Sequence, residues 1–576
     1  MRPSRSPDPA EPPAAPTAGA ASPAARWLRA PAVAACAACA ALLILTGCDT
    51  PAASGAPGAN PLPPNPGGVA SANGAAAARA LELAARRVDP HDAARVDRVT
   101  GGADARTLAA VADQGWPAWL SRQLHPPADA APLPAAVRDR IATMRITRVP
   151  LAQRVREDEA QRLAAEALPD EDARAAARKA YQRALADEGT EATQRWLLQA
   201  VLSPWQVQER MTWFWLNHFS VAQAKGNLRA FVGDYEAQLR PLALGKFRDL
   251  LRAAALHPAM LRYLDNERNA AGRLNENFAR ELLELHTLGV DGGYSQQDVQ
   301  QLARVLTGLG LRVDASDATL PPALADRAPQ YVHRGLMEFN PARHATGAKM
   351  LLGERVAPGG LDEIEAVLDR LARHPATARH VCGRLARYWL GGDPPPALVA
   401  RMAQRFTDSD GDIAAVLQLL FTAPEFEASL GTRFKDPWRW MVSATRLAYD
   451  GADVIDATPL VNGLARLGES PFGHATPEGY SLDAAAWSGP GQLTQRFDVA
   501  RAIVGNDGRG NINFFRTEGR LSLATVPQAR RQSAAWSRTQ APRLSDGTRG
   551  VLDELARVHP GDWAWAALSS PEFMVD

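Results

Sequence analysis

Charge of one sign is what this sequence lacks most plainly: 64 lysines and arginines stand against 63 aspartates and glutamates, a formal net charge of +1 over 576 residues. A nucleic-acid-binding surface needs a basic excess gathered on one face, so no nucleic-acid partner is expected. Cysteine is nearly absent at four residues, and two of them, Cys36 and Cys39, sit in an apolar run that signal cleavage would remove. That leaves Cys48 and Cys382. If Cys48 carries lipid, no intramolecular disulfide can form, and Cys382 is expected as a small buried apolar residue. Long hydrophobic runs are also missing, since the stretch from Ala32 to Leu45 is too short for a persuasive membrane span. Alternating β-branched stretches are scarce, which argues against a β architecture. Neither P-loop nor dinucleotide-binding spacing occurs. The run from Asp408 to Asp412 fails as an EF-hand, because Ile413 and Leu419 stand where Gly and Glu would be needed. Asp412 reads better as a helix N-cap, and no metal or cofactor is expected.

What is present begins near the N-terminus. Arg26 and Arg29, the apolar run and then Leu45-Thr46-Gly47-Cys48 follow the order of a secretory signal. The last four have the form of a lipobox, in which small residues open the bond before a cysteine that becomes lipid-modified. An ordinary signal peptide cut elsewhere is the alternative, and both readings export the chain. The expected organisation is an N-terminal extension and lipoprotein-type signal over residues 1–47, a disordered Pro/Gly/Ala tether over 48–75, and one long helical module over 76–576. The expected location is the cell envelope, anchored to a bacterial membrane through Cys48 and facing the periplasm or exterior.

From Ala76 onward Ala, Leu, Arg and Glu abound and apolar residues recur at three- and four-residue spacing, so the predicted class is mostly α, a large multi-helix body. Thr107 to Leu124 predicts two short helices joined at Gly115, with Trp116 and Trp119 turned inward. Residues 153–187, rich in charge and broken at Leu168-Pro169-Asp170, predict an exposed helical hairpin. Ser203-Pro204-Trp205 reads as a helix start with Ser203 as N-cap. The helix that follows puts Met211, Phe214, Trp215 and His218 on one stripe. A histidine on such a face is usually a core residue; the functional alternative is a desolvated imidazole acting as base or ligand. Residues 321–353 predict extended or hairpin structure, and amphipathic helices follow from Ile364 to Leu420.

The densest chemistry lies in NENFARELLELHTLGVDGGYSQQDVQQLARVLTG, Asn275 to Gly308. Projected at about 100° per residue, Asn277, Arg280, Glu281 and Glu284 share one sector of a helix, while Phe278, Leu282, Leu285 and His286 fall on the other. Arg280 then reaches Glu284 at i, i+4, and His286 cannot join the two glutamates as a ligand. Gly289, Gly292 and Gly293 supply positive-φ positions for a reversal, Tyr294 staples the entry, and Ser295 with Asp298 forms a capping box.

This stretch resembles the signature of an exported bacterial family called domain of unknown function 1800. SPWQVQERMTWFWLNHFSV is similar to the family's aromatic Asn-His-Phe segment, here with Asn217 and His218. FNPARHATGAKMLLG resembles its His-x-x-Gly-x-Lys segment, with His344 and Lys349, and HPATARHVCGRLARYWLGGDPP its C-terminal helices. DAARVDRVTGGADARTL departs from the usual Arg-Ala-x-Phe-Gly pattern. The resemblance covers His91 to Leu568 and implies export, a helical body and no agreed activity. It also suggests a partner from a second exported family, domain of unknown function 1501.

Two functions from different classes stand as expectations. One is a lipid-anchored scaffold or binding protein acting with an exported partner. The other is a hydrolase or lyase on an envelope or extracellular polymer, with Glu281 and Glu284 as acid/base carboxylates and His218 or His344 assisting. Candidate binding residues are Asn217, Asn277, Arg280, Tyr294, His344 and Lys349.

Overall fold

The computed structural model describes residues 72–127, 133–450, 454, 456–504 and 533–576. The expected signal and Cys48 lie outside the described residues, as does most of the tether. Residues 72–75, expected in the tether, instead open the Ala72–Ala85 helix. The fold is mostly α, as the periodicity predicts.

Its spine is the 32-residue Glu171–Leu202 helix, roughly 48 Å long at about 1.5 Å per residue. The helix starts where Asp170 accepts the Ala173 amide at 2.7 Å. Its first half is charged and pairs with Leu151–Glu166 as the expected hairpin, across the break at Pro169. From Glu188 on most residues are buried, because apolar and small residues there leave only short charged interruptions. Two later helices share that core: Gln206–His218 buries every residue but Gln208, and Pro437–Ala448 is buried throughout. Trp196, Trp213 and Trp438, one from each helix, meet with ring centroids 6.0 and 6.1 Å apart. Such contacts add about 0.5–1.5 kcal/mol each beyond the area buried.

The start of the Gln206–His218 helix differs from the expected one. Ser203 is the C-cap of the preceding helix, and its hydroxyl accepts the Trp205 amide at 3.1 Å, so helix resumes only after a sharp corner at Pro204. Pro204 disfavours helical backbone at Ser203, which is why the break falls there.

Residues 321–353 hold the predicted extended structure in part, interrupted by 3-10 turns at Pro322–Gln330 and Pro341–Arg343 where prolines set helical φ. β1 (Leu309–Leu311), β2 (Val332–Arg334) and β3 (Met337–Phe339) form an antiparallel sheet ordered β1-β3-β2, with Leu309 and Val332 both opposite Phe339. β4 (Lys349–Leu351) and β5 (Glu354–Val356) form a separate hairpin against the Gln296–Val305 helix. The helices Leu361–Arg373, Pro375–Leu390, Pro396–Asp408 and Ile413–Phe421 then close the body, the last capped by Asp412, whose Oδ1 accepts the Ala415 amide at 2.9 Å. Cys382 is buried and free, and burial pushes its thiol up. Among the described residues no helix is long and apolar enough to cross a membrane.

Candidate functional site

The Asn277–Glu284 helix presents its predicted faces. Phe278, Ala279, Leu282 and Leu283 are buried, while Arg280, Glu281 and Glu284 are partly exposed and Asn277 is exposed. The expected Arg280–Glu284 pair does not form. Arg280 turns toward the helix start, 3.4 Å from Glu276, and donates to Gln296 at 2.9 Å, because the neighbouring Gln296–Val305 helix brings an amide and the Glu276 carboxylate to one spot. Glu284 instead accepts from the Tyr294 hydroxyl at 3.3 Å. Asn277 donates to the Leu264 carbonyl at 3.2 Å and its amide is capped by Asn275 at 3.0 Å, a role in seating the helix. The Ser295/Asp298 capping box is present, and Asp298 also accepts the Leu352 amide at 2.7 Å, tying the β4–β5 turn to it. Gly289 and Gly293 have φ of 85° and 82°. Gly292 does not have positive φ; it is required for space, since a Cβ there would overlap Leu288.

The Glu281 carboxylate makes no hydrogen bond or ion pair among the described residues. Burial pushes its carboxyl up, with the charges of Glu284 and Glu478 adding to the rise and Arg280 opposing it. Glu478 arrives from the segment after Ser470. Beside it Tyr263 donates to the Ala475 carbonyl at 2.9 Å, and burial with the Glu478 and Glu281 charges pushes its phenol up to about 12. Glu281 therefore has the environment of a weak acid, but its neighbours are further acids.

His218, the last residue of the Gln206–His218 helix, is buried in the core against the residues that follow the Asn277–Glu284 helix. It is enclosed by Phe214, Trp215, Phe219 and Phe247, with His286 and His380 ring centroids 6.3 and 6.0 Å away. Its Nε2 lies 3.2 Å from the His286 carbonyl, and His380 Nε2 lies 3.1 Å from the Leu285 carbonyl. These carbonyls sit just past the end of the Asn277–Glu284 helix, where helical partners run out. The two imidazoles thus cap that helix from within. Burial, with the Arg384 charge next, holds His218 well below 6.5, His286 down at about 3 and His380 at about 4. All three are neutral at neutral pH. The Gly289 φ is part of this arrangement, because a Cβ there would come within 2.7 Å of His380 Nδ1.

His344 and Lys349 meet at another place. His344 Nδ1 is 2.7 Å from the Thr307 carbonyl, and its Nε2 lies 3.3 Å from Lys349 Nζ and 3.4 Å from Glu363 Oε2. Lys349 is also 2.7 Å from Glu363 Oε1, with both side chains almost fully buried. This cluster fastens the β4–β5 hairpin to the first turn of Leu361–Arg373. Asn217 is a clamp as well: its Oδ1 accepts the Tyr480 amide at 2.6 Å and its Nδ2 donates to the Tyr480 carbonyl at 2.9 Å, as a paired strand would. A Cβ on Gly479, whose φ is 75°, would collide with Asn217.

The structure thus brings His218 to His286 and His380, and His344 to Lys349, and it leaves Glu281 apart from both groups. Among the described residues no three His, Cys, Asp or Glu side chains are placed to hold a metal ion. Sequence reasoning missed His380, Arg384, Glu363 and Glu478, which enter from distant segments with no spacing signal to mark them. It also missed an open cleft of about 180 Å³ lined by Arg106, Gln114, Trp119, Arg122, Trp205 and Tyr449 among others. The surplus of tryptophan around Gly115 and Pro204 is the one signal that could have drawn attention to it.

A family model described as a protein of unknown function, DUF1800, matches residues 95–575, so this chain belongs to that family. Neither the curated proteins nor the solved structures contain a match to it.

Proposed function

We propose that this member of the DUF1800 family is an exported, lipid-anchored envelope protein that serves as a helical scaffold or binding protein beside an exported partner. The observation that carries the choice of binding over catalysis is the separation of the candidate catalytic groups. His218 faces an aromatic core with Nε2 engaged by the His286 carbonyl, whereas Glu281 lies on the outer face of the Asn277–Glu284 helix. A base enclosed in the aromatic core and an acid on a partly exposed face do not meet at a common substrate atom. The remaining motif residues, Asn217, Asn277, Tyr294, His344 and Lys349, each have a fastening role that a rigid platform needs. Anchoring through Cys48 and a partner resembling domain of unknown function 1501 complete the reading.

The test is crosslinking and pull-down from detergent-solubilised envelope. Recovery of an exported partner, together with release of a Cys48→Ser variant into the soluble fraction, is expected; recovery of the bait alone refutes the scaffold. The second reading, a hydrolase or lyase using Glu281 and Glu284, is favoured by one observation, the raised Glu281 carboxyl among acidic neighbours. It requires that Glu281→Gln abolish turnover of an envelope or extracellular polymer. Activity that survives this substitution removes Glu281 from the chemistry.

A further inference from the structure

The open cleft lies where the Ala105–Gln114 and Trp116–Leu124 helices face the corner at Pro204 and the end of the Pro437–Ala448 helix. Its volume of about 180 Å³ is slightly above that of a cavity, about 150 Å³, known to take up benzene, so it holds one six-membered ring with a substituent. Trp119, Trp205 and Tyr449 supply flat apolar wall.

The polar groups of the lining divide into engaged and available. Asp104 accepts the Thr107 amide at 2.7 Å and pairs with Arg446 at 2.8 Å, and Asp450 accepts the Ala105 amide at 3.2 Å. Arg446 also donates to the Gly102 and Val201 carbonyls and to Thr107. Gln123 is held at both ends, by the Pro204 carbonyl and the Val207 amide, and the Thr445 hydroxyl donates to the Met441 carbonyl. At the mouth, Arg106 is exposed and makes no hydrogen bond or ion pair among the described residues, while Arg122 donates to Gln114 at 3.1 Å. Both carboxylates are occupied and the open charges are cationic, so the complementary ligand is an anion. A polyol would meet walls whose carboxylates, Gln123 and Thr445 are already paired and whose Trp205 indole N–H is buried, whereas an apolar ring needs no partner.

We infer that this cleft binds a monocyclic aromatic carboxylate, with the ring against Trp119 and Trp205 and the carboxylate held by Arg106 and Arg122. The inference rests on the reading of the chain as a binding protein and names the chemistry of its small ligand.

Titration calorimetry on the detergent-solubilised full chain tests it with three probes, sodium benzoate, benzyl alcohol and sodium glucuronate. Benzoate is expected to bind with a Kd near or below about 1 mM, as suits a ligand of this size. Benzyl alcohol, which keeps the ring and loses the charge, should bind about tenfold more weakly, and Arg106→Ala with Arg122→Ala should weaken benzoate by about the same factor. Both arginines are at the surface, so the double variant folds, and its urea midpoint checks this. Absence of benzoate binding, binding unaffected by the double substitution, or glucuronate binding as tightly as benzoate each overturns the assignment. Partner recovery is read separately. A cleft that ignores benzoate while the partner is still captured overturns this ligand alone; benzoate binding without any partner overturns the scaffold and leaves the cleft assigned.

Discussion

Replacing Lys349 with methionine removes one charge from the most enclosed ion pair in the candidate motifs. The ammonium lies 2.7 Å from Glu363, with side-chain exposures of 2% and 1%. Methionine keeps the bulk of the stem, so the loss is electrostatic. Breaking a buried pair by removing one partner leaves an uncompensated charge and costs about 3–5 kcal/mol, a large share of the about 5–15 kcal/mol that keeps a domain folded. The pH dependence gives a second signature. In the native protein burial pushes the Glu363 carboxyl up, but His344 and Lys349 overcome it and leave the group below its ordinary 4.5. Its stabilising contribution is therefore present above that value and lost as pH falls through the lower folded value. Without Lys349 burial dominates and the group is raised, so the variant loses stability as pH rises. The defect should be largest near about pH 7 and shrink near about pH 4. Adding Glu363→Leu should recover most of the loss, because two apolar groups replace a pair whose desolvation was itself costly. Urea unfolding of the three variants at both pH values measures all of this. A loss under about 1 kcal/mol for Lys349→Met, or equal losses at the two pH values, refutes the reasoning.

Gly289→Ala should destabilise by about 1–3 kcal/mol, since it combines positive φ with a collision against His380, and Gly293→Ala by only about 1 kcal/mol because the space beside it is open. Equal midpoint shifts in urea would show that His380 does not press on Gly289. The neutral histidines predict acid sensitivity: with His286 at about 3, His380 at about 4 and His218 also depressed from 6.5, stability is full above 6.5 and falls as pH drops below it. Each contributes up to about 1.4 kcal/mol per pH unit, so His380→Gln should reduce the slope between about pH 6.5 and 5 by up to that amount. An unchanged slope would mean that His380 is already charged in the fold.

Local features were readable from the chain because their causes lie within a few residues. The Ser295/Asp298 box, the Asp412 cap, the glycine hinge at Gly115 and the buried stripe through His218 are each decided by spacing of one turn or less. The misreadings have a shared cause. The i, i+4 geometry pairs Arg280 with Glu284, but Glu276 and the Gln296 amide compete for the same guanidinium once the second helix folds back. Ser203 has the residue type of an N-cap, yet the preceding helix runs long enough to take it as a C-cap.

Helical class, family and the faces that each helix buries are legible in the chain alone, since periodicity, caps and the motif segments are carried by neighbouring residues. Which polar groups meet is settled by the packing of distant segments. His218 reaches the His286 carbonyl across 68 residues, and Asn217 clamps Tyr480 across 263. Contacts at such separations depend on how the whole core closes, and no local spacing encodes them. That closure turns Asn217, His218 and Lys349 from candidate chemistry into fastenings, leaves the Glu281 carboxylate without a partner among the described residues, and opens the cleft beside Arg106 and Arg122.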